Sequence, residues 1–251
     1  MDEPGLASDA RPSPPPKGPE PFPRWLTFAL MPFLLALTGS MAISAHFFAA
    51  PRPAATTSTS LVDLMGLSHA NGHLTPNFVL TDQHGRQVSI GDFRGKAVLL
   101  AFMDSRCTEV CPLLAQMFVG AEHDLGSLNS RVAFVAVNVN AMAASVSAVE
   151  HFSRTQGLAS LPNWYFLTGS ATHLQAVWTA YGIQVIVPKH ANQTVHADPL
   201  YFVDRSGHVQ YVASPQVGIA QGPTGHAYMP RDVLAQWGQG IATYLRRLLA
   251  K

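Results

Sequence analysis

Ala97-Val98-Leu99-Leu100-Ala101-Phe102-Met103, running on into Asp104-Ser105-Arg106-Cys107-Thr108-Glu109-Val110-Cys111-Pro112, is the stretch on which the reading of this fold turns. The first seven residues are apolar without a break, the pattern of a strand buried on both faces. Residues from Cys107 to Leu125 can then form a helix, so both cysteines stand where a buried strand hands over to a helix start. Backbone N–H groups at such a start favour negative charge and therefore the thiolate. With three residues between them, Cys107 and Cys111 lie one helical turn apart and can face the same way. Arg106 beside the pair would lower a thiol pKa, and Glu109 would act in the opposite direction.

The chain of 251 residues has only these two cysteines. They are too few for a disulfide-stapled scaffold or for a zinc site made of thiolates alone. Three uses stay open: a plain structural bridge, a redox pair, or a metal site completed by another side chain. A bridge across so short a loop constrains the unfolded chain little.

Outward from the cysteines, the pattern alternates between strands and helices. Asn77–Thr81 and Val88–Ile90 read as short extended segments around a Gln83-His84-Gly85 turn. Val132–Val139 reads as a second buried strand, Met142–Thr155 as a helix, Trp164–Leu167 as a short strand and residues 171–181 as a helix. Leu200–Asp204 and His208–Val212 form a hairpin around Ser206-Gly207. Arg231–Leu249 repeats Val233, Leu234, Trp237, Ile241, Tyr244, Leu245 and Leu248 at helical spacing. Such an order predicts an α/β fold with a mixed central sheet flanked by helices.

The N-terminal quarter reads differently. Residues 1–23 carry eight of the 19 prolines and are predicted to be a disordered tail. From Trp25 to Ala50 no Asp, Glu, Lys or Arg occurs. At 1.5 Å per residue a helix of that length reaches about 39 Å, enough to cross a hydrocarbon core of about 30 Å. Residues 24–50 are therefore predicted to be a single transmembrane anchor; the apolar region of a cleavable signal is shorter, about 7–15 residues. Arg11, Lys17 and Arg24 before the span, against Arg52 after it, place the N-terminus in the cytoplasm and the rest in the periplasm or otherwise outside. Residues 51–73 read as a flexible tether, with His69 and His73 as solvated linker histidines, and residues 74–251 as one folded domain. Net charge is only +1 and charged residues make up 12%, about half the usual share of roughly 25%. Nucleic acid, which demands clustered basic charge, is excluded as the main partner.

Softness decides which metal the pair would take. Two thiolates with one imidazole suit copper, and zinc less well without a fourth ligand. The leading candidate for the third ligand is His196, in the loop before the Leu200–Asp204 strand; His190 and His208 compete with it, and Met103 is a soft donor placed more naturally in the core.

Taken together, the anchor, the tether, Pro76-Asn77-Phe78, the Gly85 turn, Phe93-Arg94-Gly95-Lys96, Cys107-x-x-x-Cys111-Pro112, and His196 with Tyr201-Phe202-Val203-Asp204 and Gly207 resemble the Sco/SenC family of membrane-anchored copper proteins. The resemblance covers roughly residues 74–250 and implies a thioredoxin-like fold. It also implies Cys107, Cys111 and His196 as copper ligands, for Cu(I) or Cu(II). The role implied is delivery of copper to the binuclear copper site of cytochrome c oxidase subunit II, or reduction of its cysteines. Thr108 and Glu109 replace the Pro and Asp usual after the first cysteine, and Asn138-Val139-Asn140 replaces an acidic segment, so affinity or partner choice is open to change. The alternative readings are a thiol–disulfide oxidoreductase using Cys107 and Cys111 on extracytoplasmic partners, and a redox or copper sensor.

Overall fold

The computed structural model describes residues 60–187, 194–215, 220–221 and 227–250. The predicted tail and the anchor at residues 24–50 lie outside the described residues, and among those described no helix is long and apolar enough to cross a membrane. In chain order the elements are α1 (Leu61–Leu64), β1 (Ser68–His69), β2 (Val79–Thr81), β3 (Gln87–Ser89), β4 (Ala97–Met103), α2 (Val110–Leu125) and β5 (Val132–Asn138). They continue with α3 (Val146–Thr155), β6 (Trp164–Leu167), α4 (Ala171–Ala180), β7 (Val185–Ile186), β8 (Val195–His196), β9 (Leu200–Val203), β10 (Val209–Ala213) and the closing helix α5 (Arg231–Leu249).

Six strands form one mixed sheet in the order β1-β10-β9-β4-β5-β6. β4, β5 and β6 run parallel, while β9 lies antiparallel to β4 and continues through the β9–β10 hairpin to β1 at the edge. Every residue of β4 and of β5 is buried, as the unbroken apolar runs require. Alternate side chains feed two cores. Leu99, Ala101 and Met103 meet α2, α3 and α5 on one face, and Val98, Leu100 and Phe102 meet Phe93, Trp178 and the β2–β3 hairpin on the other. The α/β class with a mixed central sheet is as predicted.

Several boundaries differ from the sequence reading for local reasons. The helix after β4 starts at Val110 rather than Cys107, because the chain first makes a turn in which Cys107 N–H donates to the Asp104 carbonyl at 3.0 Å. Pro112 then falls in the first helical turn, where its missing N–H costs nothing. The predicted helix Met142–Thr155 is divided into a 3₁₀ turn at Ala141–Ala143 and α3; Ser145 separates them, its Oγ accepting from Ala148 N–H at 3.1 Å.

A further correction concerns residues 60–73, assigned to the flexible tether. Leu61 and Leu64 sit one turn apart in α1, and Leu64 and Met65 are buried against the α2/α5 core. Ser68 and His69 then pair with Val212 and Tyr211, and the His69 ring lies against Tyr211 with centroids 4.8 Å apart. The apolar trio Leu61, Leu64 and Met65 is what carries this stretch into the domain.

α2 and α5 cross at a point where each contributes a glycine. A Cβ at Gly238 would meet the backbone of Gly120 at 3.1 Å and that of Ala121 at 3.3 Å. Backbone atoms cannot step aside as a side chain can. Gly238→Val is therefore expected to cost about 1–3 kcal/mol by overpacking, read as a lower denaturation midpoint with an unchanged slope.

Candidate thiol and metal site

β4 ends at Met103, and the next residue, Asp104, organises the turn that carries the cysteines. Its Oδ1 accepts from Arg106 N–H at 2.7 Å, and its carbonyl accepts from Cys107 N–H at 3.0 Å. Ser105 is fixed from the neighbouring β5 end: Asn138 Oδ1 accepts from its N–H at 3.4 Å, and its Oγ donates to the Ala143 carbonyl at 3.0 Å. Asn138 Nδ2 donates to that same carbonyl at 2.8 Å. The Asn138-Val139-Asn140 segment is thus a buried hydrogen-bonding scaffold under the loop.

Neither cysteine is in a disulfide; Cys111 is fully buried and Cys107 half-buried. The Cys107 sulfur caps the start of α2, accepting from Cys111 N–H at 3.4 Å. The hydrogen bond donated by the Cys111 thiol, aided by the N–H groups of Cys111, Glu109 and Val110, lowers the Cys107 pKa to about 6 against the opposing effect of burial. The same shared proton, together with burial and the charges of Cys107 and Asp198, pushes Cys111 well above the ordinary thiol range. At neutral pH the pair is one thiolate and one thiol. Neither the Arg106 nor the Glu109 side chain is among the groups that set this split, in contrast to the sequence expectation.

His196 lies on β8, paired with Val185 of β7. Its side chain is only 5% exposed, and Nδ1 stands 3.0 Å from the Ala197 carbonyl and 3.1 Å from Asp198 Oδ1. The Ala197 carbonyl accepts from Nδ1, which places the proton there and leaves Nε2 as the nitrogen with a lone pair. Burial holds the Asp198 carboxyl above the usual carboxylate range, against the pull of His196. Because Asp198 acts electrostatically on Cys111 as well, the β8 end and the cysteine loop share one neighbourhood.

The two cysteines are therefore brought together. Among the described residues no three His, Cys, Asp or Glu side chains are gathered into a group that could hold a metal ion, so His196, on β8, does not complete such a group with the cysteines. His208 sits in the β9–β10 turn, near the start of β4 and so at the far end of that strand from the cysteines; its Nδ1 is 2.8 Å from Ser206 Oγ. His190 lies outside the described residues. Met103 is fully buried in the core with Leu99 and Cys111.

An open cleft of about 450 Å³ borders Cys107 and is lined by Arg106, Thr108, His151, Phe152 and Gln156 among others, so the exposed side of the thiolate is approachable. Sequence reading missed Asp104, Thr194, Asp198 and His151. An Asp directly after seven apolar residues is the signal the sequence offers; the others come together only through tertiary contacts.

Comparison with known proteins settles the relationship. The SCO1/SenC family model matches residues 68–221, well over half of the chain. The chain belongs to the SCO1/SenC family. A SCO1 protein homolog of Bacillus subtilis (strain 168) is 25% identical over 134 residues, covering 53% of this chain and 69% of that protein. Among solved structures, Bradyrhizobium japonicum ScoI with copper bound superposes with a TM-score of 0.53 at 20% identity, over 70% of this SCO1/SenC chain and 99% of that one. BsSco, described with a disulfide switch as a member of the Sco family of cytochrome c oxidase assembly proteins, gives a TM-score of 0.51 at 22% identity over 70% and 98%. At such identities the structural likeness establishes the shared thioredoxin-like fold.

The split of the pair has a direct readout. Alkylation of Cys107 by iodoacetamide is expected to rise through a midpoint near pH 6 and to level off above it, since only the thiolate reacts. In Cys111→Ala the donated hydrogen bond is lost, so the midpoint should move upward, toward the ordinary thiol range. Rates followed by mass spectrometry across pH 4–10 test both; an unshifted midpoint in the variant would remove Cys111 as the cause.

Proposed function

We propose that this SCO1/SenC protein is a membrane-anchored copper-delivery protein. The carrying observation is the Cys107–Cys111 pair, two soft sulfur donors on one face of a strand–helix junction, one of them already a thiolate. Copper is the cargo, held by Cys107, Cys111 and Nε2 of His196 and passed on by ligand exchange. The donor set fits a soft ion. The third donor must be brought to the pair from β8. Support from relatives is the copper-bound ScoI structure and the placing of BsSco among cytochrome c oxidase assembly proteins. By the same family resemblance, the recipient is the binuclear copper site of cytochrome c oxidase subunit II. The uncharged Trp25–Ala50 stretch is the anchor that holds the folded domain outside the cytoplasm.

A second reading, thiol–disulfide exchange, is favoured by the asymmetry of the pair. The half-buried Cys107 thiolate attacks one sulfur of a partner disulfide, and the partner's other sulfur leaves as a thiolate. Cys111 then gives up its proton and attacks Cys107 Sγ, expelling the partner's first sulfur. The partner gains one thiolate and, with the proton given up by Cys111, one thiol, and this chain gains a Cys107–Cys111 bond, so electrons and protons balance.

His196→Ala separates the two. Metal analysis of the reduced full chain is expected to find one copper ion per wild-type chain, at least about tenfold weaker retention in His196→Ala, and none in Cys107→Ala. Disulfide exchange with a small neutral disulfide should survive His196→Ala and vanish in Cys107→Ala. Wild-type protein that retains no copper would sink the delivery reading.

A further inference from the structure

Asp104 has a connectivity that the cysteine loop alone does not require. Its carboxylate is fully buried, at 0% exposure, yet among the described residues no Lys, Arg or His forms an ion pair with it. Oδ1 accepts from Arg106 N–H at 2.7 Å and from Asn140 Nδ2 at 2.9 Å. Oδ2 is given over to one residue of another segment, accepting from Thr194 N–H at 2.8 Å and from Thr194 Oγ1 at 3.1 Å. Burying a carboxylate without a cation is costly, and only a full set of donors makes it tolerable. A polar group retained at that cost beside an apolar strand acts through what it holds in place.

What it holds is the strand that carries His196. Thr194 directly precedes β8, and in an extended chain residues two apart point to the same side. Exposure follows that alternation: Val195 is 58% exposed, whereas the His196 side chain is 5% exposed. Pinning the Thr194 backbone and hydroxyl to Asp104 therefore turns His196 to the side that faces the cysteine loop. The residue doing so also accepts Cys107 N–H through its carbonyl at 3.0 Å.

We propose that Asp104 is a positioning residue, a latch that joins the His196-bearing strand to the Cys107–Cys111 loop and fixes the side from which the imidazole approaches the sulfurs. The consequence for copper rests on the delivery reading; the latch itself does not. Without Asp104, β8 loses its tie to the loop while the cysteine pair keeps its own hydrogen bonds.

The test uses the full chain with Asp104→Ala, and Thr194→Val as a milder variant that deletes only the hydroxyl donor. In the metal-free protein, hydrogen exchange at Thr194 N–H and modification of His196 by diethylpyrocarbonate are both expected to speed up by roughly tenfold or more in Asp104→Ala, and less in Thr194→Val. In Thr194→Val, which leaves the Asp104 turn intact, Cys107 alkylation should keep its midpoint, which general unfolding would not allow. Added copper gives a second reading. Asp104→Ala should weaken binding about tenfold, and the same change in a His196→Ala background should have no further effect, because both act through one imidazole. Unchanged Thr194 exchange and His196 reactivity in Asp104→Ala would overturn the latch. Should that variant fail to fold, Thr194→Val decides by the same two rates. If wild type binds no copper, the delivery reading falls and the metal-free rates still judge the latch.

Discussion

Burial of β4 on both faces is the constraint from which the rest of the molecule follows. A strand with seven buried residues has no solvated side on which to turn, so the chain must leave the sheet at its end. It leaves directly into the Asp104 turn and the start of α2, which delivers two sulfurs to a helix N-terminus beyond the C-terminal end of a central strand. The flanking strands serve the same constraint. β5 supplies Asn138 beneath the loop, and β9 closes the other side, so that the segment before it, β8, passes close to the cysteines. The site is an outcome of where a fully buried strand can end.

How much of this was legible depends on whether the signal is local. Apolar runs and helical spacing read out β4, β5, α2 and α5 almost to their ends, because these elements are decided by burial. The cysteine pair was legible because its spacing is itself the geometry. Residues 60–69 were misread: Pro and Thr/Ser residues just upstream suggested a tether, while Leu61, Leu64 and Met65 needed α5 to be in place before their burial had meaning. β7 and β8, two residues each, are too short to carry a period. The roles of Arg106 and Glu109 were inferred from charge alone. Their side chains do not set the sulfur pKa values, since the decisive donor is the neighbouring thiol itself.

The departures from the family pattern noted in the sequence also take on meaning. Asn138 and Asn140 replace acidic residues, yet carboxylates are not lacking around the loop: Asp104 lies beneath it and Asp198 near Cys111. Negative charge near the loop sits at the strand end, where Asp104 is buried and held by hydrogen bonds, and on the β8 side, where Asp198 stands beside His196. Such charge orients neighbours more than it attracts ions from solution.

The unequal protonation of the two sulfurs carries a bookkeeping consequence that is independent of what the pair reacts with. With Cys107 ionised and Cys111 neutral, the resting pair already holds one negative charge and a single exchangeable proton. Any event that needs both sulfurs deprotonated, whether closing a bond between them or wrapping them around a soft cation, must expel that one proton, and the reverse event must take one back. Loading and unloading are thereby tied to the acidity of the compartment: an acidic surrounding favours the open, one-proton state, and an alkaline one favours the state in which the sulfurs are engaged.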